Sequence, residues 1–178
     1  METVKSKLDQ VLDLIEFIHT EIPDGNALCQ FVTLRSLNEL DATHSFIAEL
    51  KPGGLIIPVY QFGFTEEEVA SWAISSVDDH IPTADALKTN SFVWLADNED
   101  WERDYPALIQ HKIPTAETFI CWPIHIRGSY MSVIGVLFKE IILQSPELKN
   151  YLETLSGLVG LQLSSLKRTR LNLSLIHI

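Results

Sequence analysis

Between residues 2 and 22 the apolar positions Val4, Leu8, Val11, Ile15, Ile18 and Ile22 alternate steps of four and three. That spacing predicts a helix with a coiled-coil-like seam. Leu12, Leu14 and Phe17 widen its apolar surface, so the helix is expected to touch both its own domain and another helix. Pro23-Asp24-Gly25-Asn26 ends it in a turn. Residues 27–34 then read as a first strand, and residues 35–54 as an irregular loop with a short helix, stopped by Pro52-Gly53-Gly54. Residues 55–62, LIIPVYQF, are strand-rich, with Pro58 implying an edge position or a bulge. Thr65 followed by Glu66, Glu67 and Glu68 has the form of a helix start with a capping box, running through Trp72. Residues 74–79 read as extended and His80-Ile81-Pro82 as a turn, with Thr83 as the cap of a helix through Lys88. Residues 91–95 form a short strand. Past Asp97, residues Trp101, Tyr105 and Leu108 keep helical spacing until Pro106 forces a bend or break.

Residues 118–138 are two apolar runs split by Arg127-Gly128-Ser129, a pattern that predicts the central antiparallel hairpin. Phe119, Cys121 and Pro123 alternate with Ile120, Trp122, Ile124 and Ile126; in the return run Met131, Val133, Gly135 and Leu137 alternate with Ser132, Ile134, Val136 and Phe138. Both faces are apolar, so neither can be left wet at ~25 cal/mol per Å². One face calls for helices and the other for a lid or a ligand. Ser145-Pro146 opens a last helix reaching about residue 170, with Leu148, Leu152, Leu155, Val159 and Leu166 on one stripe and Gln162 its only polar member. The order of elements suggests an α+β layer on an antiparallel sheet. The final eight residues, LNLSLIHI, leave helical spacing and are set aside as a truncated linker or sequence scar, leaving 1–170 as one domain.

Composition narrows the picture. With 178 residues, 46% hydrophobic and 21% charged, the chain suits one globular domain with a real core. No apolar run is long enough to span a bilayer, and METVKSKLDQ lacks the apolar region of a signal peptide, so a cytoplasmic location is expected. The net charge of -11 opposes binding to nucleic acid, while Lys167, Arg168 and Arg170 form a small basic cluster near the C-terminus. Cys29 and Cys121 each lie inside an apolar run and read as reduced core thiols. His80 and His125 have no metal-ligand spacing around them. Neither a nucleophile elbow nor a phosphate-cradling glycine loop is present, and the chain is expected not to be an enzyme.

The segments FGFTEEEVASW from Phe62, VDDHIPTADALKTN from Val77, and VWL at Val93, closed by WPIHIRGSYMSVIGVLF from Trp122, together resemble a bacterial GAF domain. The resemblance covers residues 5–167 and implies a PAS-like fold: a central antiparallel sheet, N- and C-terminal helices packed on one face, and a small-molecule cavity on the other. It further implies a sensory input module of signal transduction, of the kind joined to a LuxR-type DNA-binding domain or a histidine kinase and signalling through its terminal helices. The expected partners are an unknown small molecule, a second copy paired through the terminal helices, and an output domain beyond this chain. The cavity lining is expected to come from Trp72, Asp78, Thr83, Asp85, Trp94, Phe119, Trp122 and Tyr130. Asp78 and Asp79 ahead of a helix either hold a cationic ligand or solvate a loop. The NKxnFx3DE pattern of cyclic-nucleotide-binding relatives and the Cys-His context of bilin-binding ones are both absent. Two alternatives stand beside this reading. One is a free methionine sulfoxide reductase using Cys121 with Cys29, although both thiols are expected in strands; the other is a dimerisation spacer whose cavity is filled.

Overall fold

The computed structural model describes residues 6–20, 24–72, 74–110, 116–126 and 130–176. Helix α1 (Lys7–Thr20) starts where Ser6 and Asp9 exchange hydrogen bonds, Asp9 N–H donating to Ser6 Oγ and Ser6 N–H to the Asp9 carboxylate. Its buried face centres on Gln10 and Leu14, with Val11, Phe17 and Ile18 alongside, while Leu8 and Leu12 stay exposed. The stripe is thus rotated from the predicted seam, of which Val4 and Ile22 lie outside the described residues.

Helix α2 (Gly25–Phe31), continued by a π-helical turn at Val32–Ser36, replaces the strand expected at 27–34. Asp24 accepts the Ala27 N–H at 2.8 Å, and Gly25, Leu28, Cys29, Val32 and Ser36 bury one helical face. A 3-10 turn at Asn38–Leu40 and Asp41, at φ 52°, lead into β1 (Ala42–Leu50). The loop expected at 35–54 is therefore overturned: β1 is a central strand. Strand β2 (Leu55–Phe62) pairs with it through a bulge, since Ile47 faces Tyr60 but Ala48 faces Pro58, leaving Val59 as the extra residue.

In α3 (Glu66–Ser71) the capping box forms as predicted, with Thr65 Oγ1 accepting the Glu68 N–H and Glu68 accepting the Thr65 N–H. Strand β3 is only Ser75–Ser76, and α4 (Pro82–Thr89) begins with Pro82 in the first turn and Ile81 as an N-cap with no side-chain hydrogen bond. Thr83 is accordingly not the cap. Then follow β4 (Val93–Leu95), α5 (Asn98–Asp104) capped by Asp97, a 3-10 turn at Pro106–Gln110, β5 (Thr118–Ile126) and β6 (Tyr130–Phe138). Ser145 Oγ accepts the Leu148 N–H at the start of α6 (Pro146–Ile176), which runs without a break past residue 170. None of these helices is long and apolar enough to cross a membrane.

The six strands form one antiparallel sheet in the order β3-β2-β1-β6-β5-β4. Its alternation divides the core as expected. Ile47, Ile120, Trp122, Ile124, Ile134, Val136 and Phe138 meet α1, α2 and α6, whereas Phe46, Ala48, Phe119, Cys121, Val133 and Leu137 face α3, α4 and α5. Leu14 of α1 shares its core with Leu152, Leu155, Val159 and Leu163 of α6, so much of the two apolar stripes is satisfied within one chain. On its outer side β2 meets β3 only at Leu55 and Ile56; Pro58 has no N–H, and the Gln61 N–H donates to Asn26 Oδ1 at 2.9 Å.

One buried charge ties the sheet to the last helix. Glu49, 5% exposed, is held by Lys51 and by Lys167 of α6, the latter at 2.9 Å. Burial alone would raise its carboxyl pKa, but hydrogen bonds from the two lysines outweigh this and lower it. A depressed folded-state pKa stabilises above the unfolded value, and that stability is lost as pH falls through the folded one. Glu49→Gln is expected to cost about 1–2 kcal/mol at pH 7, a value reduced because both lysines are partly solvated. Below pH ~4 its stability should converge on that of the parent chain. Urea titrations across this range check the prediction, and a pH-independent gap would refute it.

Candidate ligand cavity

Opposite α1 and α6 the sheet encloses a cavity of about 470 Å³, a size suited to a small organic molecule. Phe46 of β1 and Phe119 of β5 form its floor, their rings 6.2 Å apart and nearly parallel. Between them lies Gly135 of β6. A Cβ there would stand 2.4 Å from the Phe46 ring and 2.9 Å from that of Phe119, so only glycine lets both rings close over the strand. Trp72 lies 5.0 Å from Phe46, Phe64 lies 5.2 Å from Trp72, and Trp101 lies 5.7 Å from Phe119, making a continuous aromatic surface. The indole N–H of Trp101 is buried without a hydrogen-bond partner among the described residues.

Polar groups gather at the rim, where the start of α4 brings Thr83 beside Asp79 and His80. Asp79 is exposed, and its Oδ2 accepts the Ser76 N–H at 2.7 Å. Behind it Asp85 accepts the Tyr105 hydroxyl at 3.0 Å and faces His80 Nδ1 at 3.1 Å and Lys88 Nζ at 2.8 Å. Its partial burial favours the neutral acid, but Lys88, Tyr105 and His80 prevail and keep the carboxyl below the usual range. Burial and the neighbouring carboxylate push the Tyr105 phenol upward.

The arrangement sets an apolar, aromatic wall beneath a polar rim. Cys121 is fully buried on the cavity side of β5 and burial pushes its thiol well up, so it is not a thiolate at neutral pH. Cys29 lies in α2 rather than in the expected strand, on the other side of the sheet, with its thiol pushed up to about 12 by burial. Among the described residues no three His, Cys, Asp or Glu side chains are grouped to hold a metal ion.

Of the residues expected to line the cavity, Trp72, Thr83 and Phe119 come together in its wall. Asp85 supports the rim from behind, and Asp79 takes the lining position next to exposed Asp78. Trp94 and Trp122 are on the opposite face. The indole N–H of Trp94 donates to the Ile142 carbonyl at 2.8 Å, and Trp122 stacks on Phe92 at 5.6 Å within the helix-side core. Tyr130 opens β6, and its side chain lies outside the described residues. Sequence reasoning missed Phe46, Phe64 and Trp101 as wall residues. For Trp101 a signal was present in the helical spacing to Tyr105 and Leu108; for Phe46 it was hidden in a segment read as loop.

No family model and no curated protein sequence matches the chain. Solved structures do. The GAF domain of a phosphoenolpyruvate-protein phosphotransferase from Coxiella burnetii superposes with a TM-score of 0.73 at 13% identity, covering 92% of this chain and 95% of that one. The corresponding domain from Acinetobacter gives 0.68 at 15% identity over 93% and 95%. The free methionine-R-sulfoxide reductase of Neisseria meningitidis, solved with its substrate, gives 0.71 at 9% identity over 95% and 97%. The presence of these reductases overturns the expectation that the chain is not an enzyme, because its architecture is one that enzymes share. The chain has the GAF fold.

Proposed function

We propose that the chain is a small-molecule-binding sensory module that reports occupancy of its cavity through its terminal helices. The observation that carries this reading is the aromatic cavity itself, with its polar rim at Asp79, His80 and Thr83 and only one sheet between its floor and α6. Signalling then works as a population shift, in which the ligand binds one arrangement of the helices better than another. A tenfold change in output requires ~1.4 kcal/mol of such preference. Exposed Leu8 and Leu12 on α1 and Leu161 on α6 provide an apolar surface for pairing two copies, and α6 is the connection to an output domain.

Native mass spectrometry of the purified chain, before and after mild denaturation and over a concentration series, tests the proposal. A small molecule released on unfolding and a dimer that grows with concentration are the expected results. A bare polypeptide mass, combined with no thermal shift from any member of a metabolite panel, would sink the binding reading. A mass that stays monomeric throughout would remove the pairing of copies.

A further inference from the structure

The charge balance at the cavity points to the class of ligand. We infer that the cavity takes a flat, apolar organic cation, its ring system on the aromatic floor and its ammonium group at Asp79. The inference rests on the small-molecule reading above and adds the sign of the ligand's charge.

Its basis is the make-up of the walls. Among the described residues the lining holds the aromatic rings of Phe46, Phe64, Trp72, Trp101 and Phe119, the imidazole of His80, no lysine or arginine, and one carboxylate, that of Asp79. The Ser76 N–H occupies Oδ2 of that carboxylate, and Oδ1 has no partner among the described residues. The neighbouring Asp85 is engaged by Lys88, Tyr105 and His80, and Lys88 Nζ also stands 3.5 Å from the Asp79 carbonyl, so Asp79 supplies the carboxylate oxygen left open at the mouth. Three features favour an anion or an acceptor there: the start of α4, the Trp101 indole N–H, and Lys88, whose ammonium is already paired with Asp85. A helix terminus amounts to about half a unit charge, and Pro82 removes one of the N–H groups that would carry it. The full charge of Asp79 exceeds it. Aromatic surfaces strengthen the same preference, because the negative faces of their rings attract cations. A protein with a net charge of -11 also draws cationic solutes toward it.

Calorimetric titration of the full chain with tryptamine, 3-ethylindole and indole-3-acetate separates charge from shape, since the three share a ring system and differ in the charge of the side arm. Tryptamine should bind at least threefold more tightly than 3-ethylindole, and indole-3-acetate most weakly. Asp79→Asn keeps an acceptor for the Ser76 N–H, so it should remove the advantage of tryptamine while leaving 3-ethylindole unchanged. Equal binding of all three, or preference for indole-3-acetate, overturns the cationic assignment and leaves the cavity reading standing. Absence of binding by all three overturns the assignment of a flat ring system to this floor, and the native mass spectrum then decides the small-molecule reading.

Discussion

Trp122→Ala is expected to lower the unfolding free energy by about 3–5 kcal/mol without weakening ligand binding in the cavity. Trp122 is 1% exposed, stacked on Phe92, and surrounded by the core shared with α1, α2 and α6. Truncation removes a large buried ring and leaves a void that strands on both sides hold open. In a chain of this length the loss corresponds to a fall in melting temperature of about 10 °C. The cavity is on the other face, so the affinity of the folded protein should hold. Trp122→Phe separates the ring from the indole N–H, which has no partner among the described residues. It should cost much less, because it removes an unsatisfied donor along with the lost volume. Thermal melts with and without ligand check both variants; loss of affinity in folded Trp122→Ala would refute the separation of the two faces.

Gly135→Ala should have an effect of opposite geometry. Its new Cβ would stand 2.4 Å from the Phe46 ring, within the sum of any carbon radii, so Phe46 and Phe119 must give way together. Overpacking of this kind costs about 1–3 kcal/mol. It also tilts the cavity floor, and an affinity loss of tenfold or more is expected. Phe46→Leu in the same chain makes room for the methyl group. The double variant should then lose less stability than the sum of the two single losses, a coupling that a double-mutant cycle measures.

These two predictions rest on a sheet whose faces are legible in the sequence, because the alternation in β5 and β6 assigns each residue to one side. The capping box at Thr65 and Glu68, the Ser145-Pro146 start of α6 and the break at Pro106 were legible for the same reason: their partners are three or four residues away. Where partners are remote the reading failed. In β1 the polar residues Ser45 and Glu49 mask a strand. Ser45 is satisfied by the Cys29 carbonyl and Thr33, and Glu49 by Lys51 and Lys167. The run ALCQFVTL contains the β-branched and aromatic residues of a strand, yet Leu28, Cys29 and Val32 repeat at helical steps. Tertiary burial of that face overrides local propensity. For the cavity, the floor residue Phe46 was lost with its strand. Trp94 and Trp122 were assigned by residue type where only strand parity decides the face.

The two ends of the sheet have a consequence for how the protein behaves when crowded. At one end β3 is two residues long, and past it Pro58, the Val59 bulge and the Asn26 amide leave β2 little backbone with which a neighbour could continue the hydrogen-bond ladder. At the other, β4 is three residues long. Neither border is a template for adding strands from another molecule, so fibrillar growth along the sheet is discouraged at concentrations where association through the helical side remains open.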